Sequence, residues 1–207
     1  MPIAEKTAEE ANAIEAEPTW EIAHLFPYQG AWSEDEYLAL DTNHLVEFDH
    51  GYLEVLPMPG ILHQRIVLYL YRVLWAFVTT KSLGEALTAP LPVQLWSQKY
   101  REPDILFFST AGRPQPTDKY AIHPDLVMEV VSPDDPDRDY VKKRAEYARA
   151  GIPEYWIVDA LQKRITVLTL AAEEYEMFGE FTPGMRAASQ LLPGFSLAVD
   201  DVLAAAD

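Results

Sequence analysis

Apolar residues recur at helical spacing between Ile61 and Thr80, with Ile66, Leu70, Val73, Leu74 and Phe77 on one stripe. This periodicity predicts an amphipathic helix facing a core. Upstream, Leu45–Phe48 and Tyr52–Leu56 are apolar-rich runs joined around Asp49-His50-Gly51, the composition of a hairpin with a glycine-assisted turn. Ser33 followed by Glu36 has the pattern of a capping box opening a short helix over Glu34–Leu40. Downstream, Glu85–Thr88, Val93–Trp96, Asp104–Phe108 and Leu126–Val131 read as strands. The stretch 109–123, with Gly112, Pro114 and Pro116, reads as a loop. A helix is predicted from Pro136 to Ala150, stopped by Gly151 and then Pro153. Tyr155–Val158 and Ile165–Leu170 are further strands, with Tyr175–Phe178 another, and Pro183, Gly184, Pro193 and Gly194 mark the turns of a short tail. From the long helix onward the order is helix, three strands, helix, strand. That order predicts an α/β domain, a mixed α+β sheet packed by helices.

Residues 1–30 lack this periodicity and are rich in Ala and Glu, so they are expected to form an acidic leader contributing little to the core, with one domain over 31–207. Trp20, Leu25, Phe26 and Tyr28 suggest that the end of the leader docks on the domain. A chain of 207 residues, 49% apolar, suffices for one buried core. The absence of cysteine excludes disulfides, thiolate metal sites and cysteine nucleophiles. The start is acidic and mixed, and no run reads as long enough to cross a bilayer, so the expectation is a cytoplasmic protein without a membrane partner. The formal charge of −17 weighs against a polyanionic substrate, because nucleic-acid binders owe much of their affinity to Lys and Arg. One short cationic cluster exists, Lys142-Lys143-Arg144, with Arg138 and Arg149 nearby.

Asp104, Glu129 and Lys143 carry the candidate chemistry. Leu126–Val131 is apolar on both alternating sets except at Glu129, and a buried carboxylate is costly unless it is paired or metal-bound. If its strand runs antiparallel to the one opened by Asp104, the two carboxylates become neighbours. Asp139, Lys143 and Tyr147 lie at i, i+4 and i+8 on one helix face, which begins near the end of Glu129's strand. Two close carboxylates and an ammonium suit a divalent metal and an attacked phosphodiester. Simpler readings compete. Pro-Asp is a common turn dipeptide, and a surface Asp139–Lys143 pair is worth a few tenths of a kcal/mol.

The combination of Pro124-Asp-Leu-Val-Met-Glu129-Val-Val-Ser132-Pro133, Asp139-x-x-x-Lys143-x-x-x-Tyr147 and Ala150-Gly-Ile-Pro-Glu-Tyr-Trp-Ile-Val-Asp159 resembles the Uma-two family of restriction endonuclease-like proteins. That family is a branch of the PD-(D/E)XK nuclease superfamily. Glu47-Phe-Asp-His-Gly51, His63, Pro103-Asp104 and Leu-Pro193-Gly194-Phe extend the match over roughly Ser33 to Val202. The resemblance implies a restriction-endonuclease-like core with a divalent-metal site. Asp104 matches the Pro-Asp element and Glu129 the acid of Glu-x-Lys. Val131 stands where that element has lysine, and Lys143 takes its place from the following helix. On this likeness Asp104, Glu129 and the Val130 carbonyl would bind Mg2+, or Mn2+ in its stead, and Lys143 would assist the attacking water. His63, Glu47 and Tyr147 are accessory candidates, while Glu154, Tyr155 and Trp156 are expected to build the core and a subunit contact. The implied partners are nucleic acid, DNA first, and a second copy in a homodimer. A non-catalytic interaction module on the same fold and a hydrolase of smaller phosphate esters are the alternatives.

Overall fold

The computed structural model describes residues 29–42, 44–110 and 119–206, so the expectations for the leader before Gln29 lie outside it. A single helical turn, α1 (Glu34–Leu38), precedes the hairpin of β1 (Val46–Asp49) and β2 (Tyr52–Val55) and the long helix α2 (Ile61–Thr80). Strands β3 (Gly84–Thr88), β4 (Val93–Trp96), β5 (Lys99–Arg101), β6 (Ile105–Ser109), β7 (Ala121–Ile122) and β8 (Leu126–Val130) follow. A π-helical segment, Arg138–Lys143, runs directly into α3 (Arg144–Arg149). Then come β9 (Glu154–Asp159), β10 (Arg164–Ala171), β11 (Glu174–Phe181), β12 (Arg186–Ala188), β13 (Ser196–Ala198) and α4 (Val199–Ala204).

The central sheet has the order β11-β10-β9-β8-β6-β3. Only β8 and β9 pair in parallel, because the π segment and α3 carry the chain back between them. The second sheet runs β2-β1-β5-β4-β7, and β12 pairs with β13 alone. The order helix, three strands, helix, strand is present as α2, then β3, β6 and β8, then π/α3, then β9. Val93–Trp96 departs from the simple reading, since it leaves the central sheet for the second one.

Alternation along the strands sends side chains to two cores. Ile105, Phe107, Met128, Val130 and Trp156 pack with Ile66, Leu70 and Leu74 of α2 on one face. Leu106, Val127, Tyr155 and Ile157 pack with Tyr147 and Ala148 of α3 on the other. By length and composition α2 could span a bilayer, which corrects the expectation that no run is long enough. Its buried side chains are committed to the sheet, as in the core helix of a globular domain.

Local signals hold where they are strongest. Ser33 and Glu36 form the reciprocal capping box of α1. His50 and Gly51 both take positive φ at the β1–β2 turn, and a Cβ on Gly51 would meet the Gly30 backbone at 2.8 Å, so glycine is required there. Gly151 ends α3 at φ 75°. Glu154 is core, as expected: its carboxylate accepts from Trp156 Nε1, Ser189 Oγ and the Gln190 and Leu191 amides, which pins the tail to β9.

Candidate active site

The antiparallel register of β6 and β8 pairs Ile105 with Met128. Continued by one residue, it sets Asp104 opposite Glu129 at the end of the sheet. The Val130 amide donates to Asp104 Oδ2 at 2.8 Å, and the Asp104 amide lies 3.4 Å from Glu129 Oε2. Glu129 projects from the Val127 and Val131 side of β8, toward the helix. There Lys143 Nζ meets Glu129 Oε1 at 2.8 Å and Asp139 Oδ1 at 3.3 Å. Tyr147 donates its hydroxyl to Glu129 Oε1 at 2.5 Å. His63, from the first turn of α2 on the opposite face, places Nε2 3.1 Å from Asp104 Oδ2. Three elements and both faces of the sheet thus converge on one pair of carboxylates.

The helix expected over Pro136–Ala150 is not uniformly α-helical: its middle is π-helical and ends at Lys143. A π segment holds one extra residue per turn, and such segments recur at functional sites. The Asp139–Lys143 pair is also not the surface bridge that spacing favours, since both residues are at most 5% exposed.

The electrostatics follow from this burial. Burial pushes the Glu129 carboxyl up to about 8; Lys143 opposes that, and the Asp104 and Asp139 charges add to it. Burial likewise raises Asp139, against Lys143 and with Asp104. Burial works to lower Lys143, but Glu129, Glu47 and Asp139 overrule it and hold the ammonium well above its ordinary range. His63 is raised too: burial opposes its charge, and the hydrogen bond and charge of Asp104, then Glu129 and the Val130 backbone, more than offset this.

Behind this pair lies a layer of ions of which the sequence singles out only Glu47, as an accessory candidate, and Arg138, beside the cationic cluster. Arg101, 1% exposed, grips Glu146 with Nε and Nη2 at 2.7 and 2.8 Å and also bonds Glu47. Arg138 bonds Glu47 and Glu54, and Lys99 bridges Asp49 and Glu146 at 2.6 and 2.8 Å. Glu47 therefore sits one layer back, held by Arg101, Arg138 and the Glu102 amide. A signal for this layer exists in Lys99-Tyr-Arg101-Glu102 directly before Pro103-Asp104. Charged triplets do not read as strand, so β5 went unrecognised.

Glu102 Oε2 and His63 Nδ1 are buried without a hydrogen bond, and Asp139 Oδ1 has only the ion pair with Lys143 at 3.3 Å. Burial, then the Glu47 charge, pushes the Glu102 carboxyl up to about 8. An acid whose folded pKa is raised lowers stability as pH climbs from its unfolded value to its folded one. Glu102→Gln removes that penalty, so it should raise the melting temperature at pH 8–9 and have little effect near pH 4.5. Melting curves across that range check this, and a gain confined to acid would contradict it.

The donors here are carboxylate oxygens, the Val130 backbone and an imidazole, a set that suits a hard divalent cation. Among the described residues no three His, Asp or Glu side chains form a closed ligand group. A cation held here would complete its shell with water or substrate oxygens, as Mg2+ commonly does.

The cationic cluster read from the sequence is already engaged. Arg138 and Lys143 are in the pairs above, and Lys142 lies 3.6 Å from Glu54. Arg144 donates to the Tyr175 carbonyl, and the Arg149 guanidinium lies 4.1 Å from the Trp96 ring centroid.

This fold, with two strand-end carboxylates, a helix lysine and no free basic face among these residues, is that of a nuclease-like α+β domain. Residues 34–200 match the Uma2 family, described as "Putative restriction endonuclease", and the chain belongs to that family. Among solved structures it is similar to the crystal structure of a putative nuclease belonging to DUF820 from Anabaena variabilis, with TM-score 0.69 and 21% identity. The similarity covers 84% of this chain and 99% of that one, and shows a shared fold. No functionally curated protein matches the sequence.

Proposed function

We propose that the protein is a metal-dependent endonuclease hydrolysing phosphodiester bonds in nucleic acid at the Asp104–Glu129–Lys143 site. The observation that supports this best is Glu129: 2% exposed, within 2.8 Å of Lys143 and facing Asp104. Such a carboxylate is tolerated when a cation partners it. Asp104, Glu129 and the Val130 carbonyl would hold Mg2+, or Mn2+ in its stead, with His63 beside Asp104. When bound, the ion would lower the pKa of a coordinated water and neutralise a phosphate oxygen.

The chain's own residues do the rest. Lys143, fixed by Glu129 and Asp139, keeps its charge at neutral pH and would offset charge building on the attacked phosphorus. Tyr147 holds Glu129 Oε1, leaving Oε2 turned toward Asp104. His63 keeps Asp104 Oδ2 oriented, the kind of outer hydrogen bond that fixes a ligand carboxylate.

The test is incubation of plasmid DNA and of RNA with the purified protein in Mg2+, Mn2+ or a chelator. Cleavage should need the divalent ion and should vanish in Glu129→Gln, which keeps the side chain's shape. Cutting that persists in chelator, or in Glu129→Gln, would remove the assignment. The ion cluster around Arg101 offers no second reading of its own.

A further inference from the structure

Glu47 and Glu54 stand directly opposite each other on β1 and β2. Like charges so placed repel unless cations lie between them. Here Arg101 and Arg138 pair with both, and Lys142 Nζ lies 3.6 Å from Glu54. The two acids are not held alike. Glu47 is fully buried and also accepts from the Glu102 amide, so it is fixed. Glu54 is 44% exposed on β2, an edge strand of the second sheet. It also serves its cations incompletely. Arg101 reaches it only at 3.4 Å, Lys142 lies beyond hydrogen-bond range, and Arg138 Nε is buried with no acceptor among the described residues. Burial works to raise the Glu54 carboxyl, but Arg138, then Lys142 and Arg101, hold it down at about 2, so an anion is favoured at this spot.

The spot adjoins the candidate chemistry. Arg138, Lys142 and Lys143 lie on one π-helical segment, and the charge of Glu47, which Arg138 holds, also acts on Lys143. Consecutive Cα atoms are about 3.8 Å apart, so an anion at Lys142 is a close neighbour of one at Lys143. A nucleic-acid strand brings such a second anion, the phosphodiester next to the one being cut. It carries a single negative charge, as the carboxylate does, so exchanging one for the other leaves the charge of the cluster unchanged. A guanidinium and an ammonium are both suited to phosphate oxygens. Once the scissile phosphate is held at Lys143, its neighbour competes with Glu54 at high effective concentration. We propose that Arg138 and Lys142 form a clamp for the backbone phosphate adjoining the scissile one, and that Glu54 occupies the clamp until a strand displaces it. The basic cluster is then covered rather than missing, which is how a chain of formal charge −17 keeps a phosphate site. The inference rests on the nuclease reading of the adjoining site.

Fluorescence anisotropy of a labelled DNA oligonucleotide, single-stranded and duplex, tests it in buffer without divalent metal, so that binding is read apart from cleavage. Glu54→Gln should bind about fivefold or more tightly than the parent, because the neutral amide leaves the clamp open. Lys142→Met should bind about fivefold more weakly and flatten the logarithmic salt slope by about 0.7–0.9, as the loss of one phosphate contact does. In the Glu54→Gln background the same change should cancel most of the gain. Glu180→Gln is the control: it removes one acid and frees Arg164 on the β10–β11 ribbon, and it should bind like the parent. Both Glu54 and Lys142 are half-exposed, and melting curves confirm that each variant is folded at the assay temperature. Binding by Glu54→Gln no tighter than the parent's, a gain matched by Glu180→Gln, or full affinity in Lys142→Met would overturn the clamp. So would an absence of binding by parent and Glu54→Gln alike. Millimolar inorganic phosphate at fixed ionic strength should leave the oligonucleotide bound; displacement would overturn the strand assignment in favour of free phosphate. Cleavage in Mg2+ or Mn2+ is scored separately. Cutting by a parent whose Glu54→Gln variant binds no more tightly keeps the nuclease and refutes the clamp. Tighter binding by Glu54→Gln with no cutting keeps the clamp and refutes the nuclease.

Discussion

Lys143→Ala is expected to reduce cleavage by at least about 10²–10³-fold, the usual loss when one fixed donor to a developing charge is removed. Lys143 is the ammonium that meets Glu129, and Val131, where the superfamily element has lysine, offers none. The fold should survive, because burial already pushes the Glu129 carboxyl up, and without the ammonium opposing that shift it is held neutral the more readily. Mg2+ affinity, followed by calorimetry, should remain largely intact. Asp104→Ala and Glu129→Ala should instead weaken it, since a hard cation needs those oxygens directly. The two carboxylates differ in a second respect. Removing Asp104 orphans the Val130 amide and His63, so relief of repulsion is offset and the apo protein should not gain stability. If Lys143→Ala cuts as fast as the parent, the lysine assignment fails. Lys142, 47% exposed and beside Glu54, is then the next residue to test.

How much of this was legible depended on whether the signal was local. The helix at Ile61–Thr80, the capping box at Ser33, the Asp49–Tyr52 turn and the stop at Gly151 rest on neighbouring residues, and each is in place. The meeting of Asp104 and Glu129 was legible because both lie at strand ends and a buried acid in an apolar strand demands a partner. The ion layer was not legible. Lys99, Arg101 and Glu146 look like surface residues in sequence, Glu47 stands out only through the family likeness, and only pairing across three elements makes their burial affordable. The same blindness explains β5 and the misplaced Asp139–Lys143 bridge. The π-helical segment left no trace either: Arg138–Lys143 carries no composition that distinguishes it from an ordinary helical turn.

Arg101→Met should cost about 3–5 kcal/mol, the penalty for stranding buried partners of a deleted charge. For a domain of this size that lowers the melting temperature by roughly 6–20 °C. The substitution keeps the apolar stem and removes the buried guanidinium, so the larger part of the loss is the charge its partners were paired with. Its main victims are Glu146, left to Lys99 alone, and Glu47, left to Arg138. The gap between parent and variant should depend on pH in a defined direction. Burial alone would raise the Glu146 carboxyl, but the Arg101 hydrogen bonds and charge, helped by Lys99, hold it below its ordinary value. A depressed folded pKa means stabilisation present above the unfolded value, near 4.5, and lost as pH falls through the folded one. Parent and variant melting temperatures should therefore converge below pH 4.5 and stay apart at pH 7. A gap that is constant across that range would mean that Arg101 acts by packing. Cleavage by Arg101→Met, measured below its melting temperature, then reads the link to the site. Glu146 and Arg138 flank Lys143 on one helical segment, so losing the Arg101 clamp should impair cleavage even in folded protein.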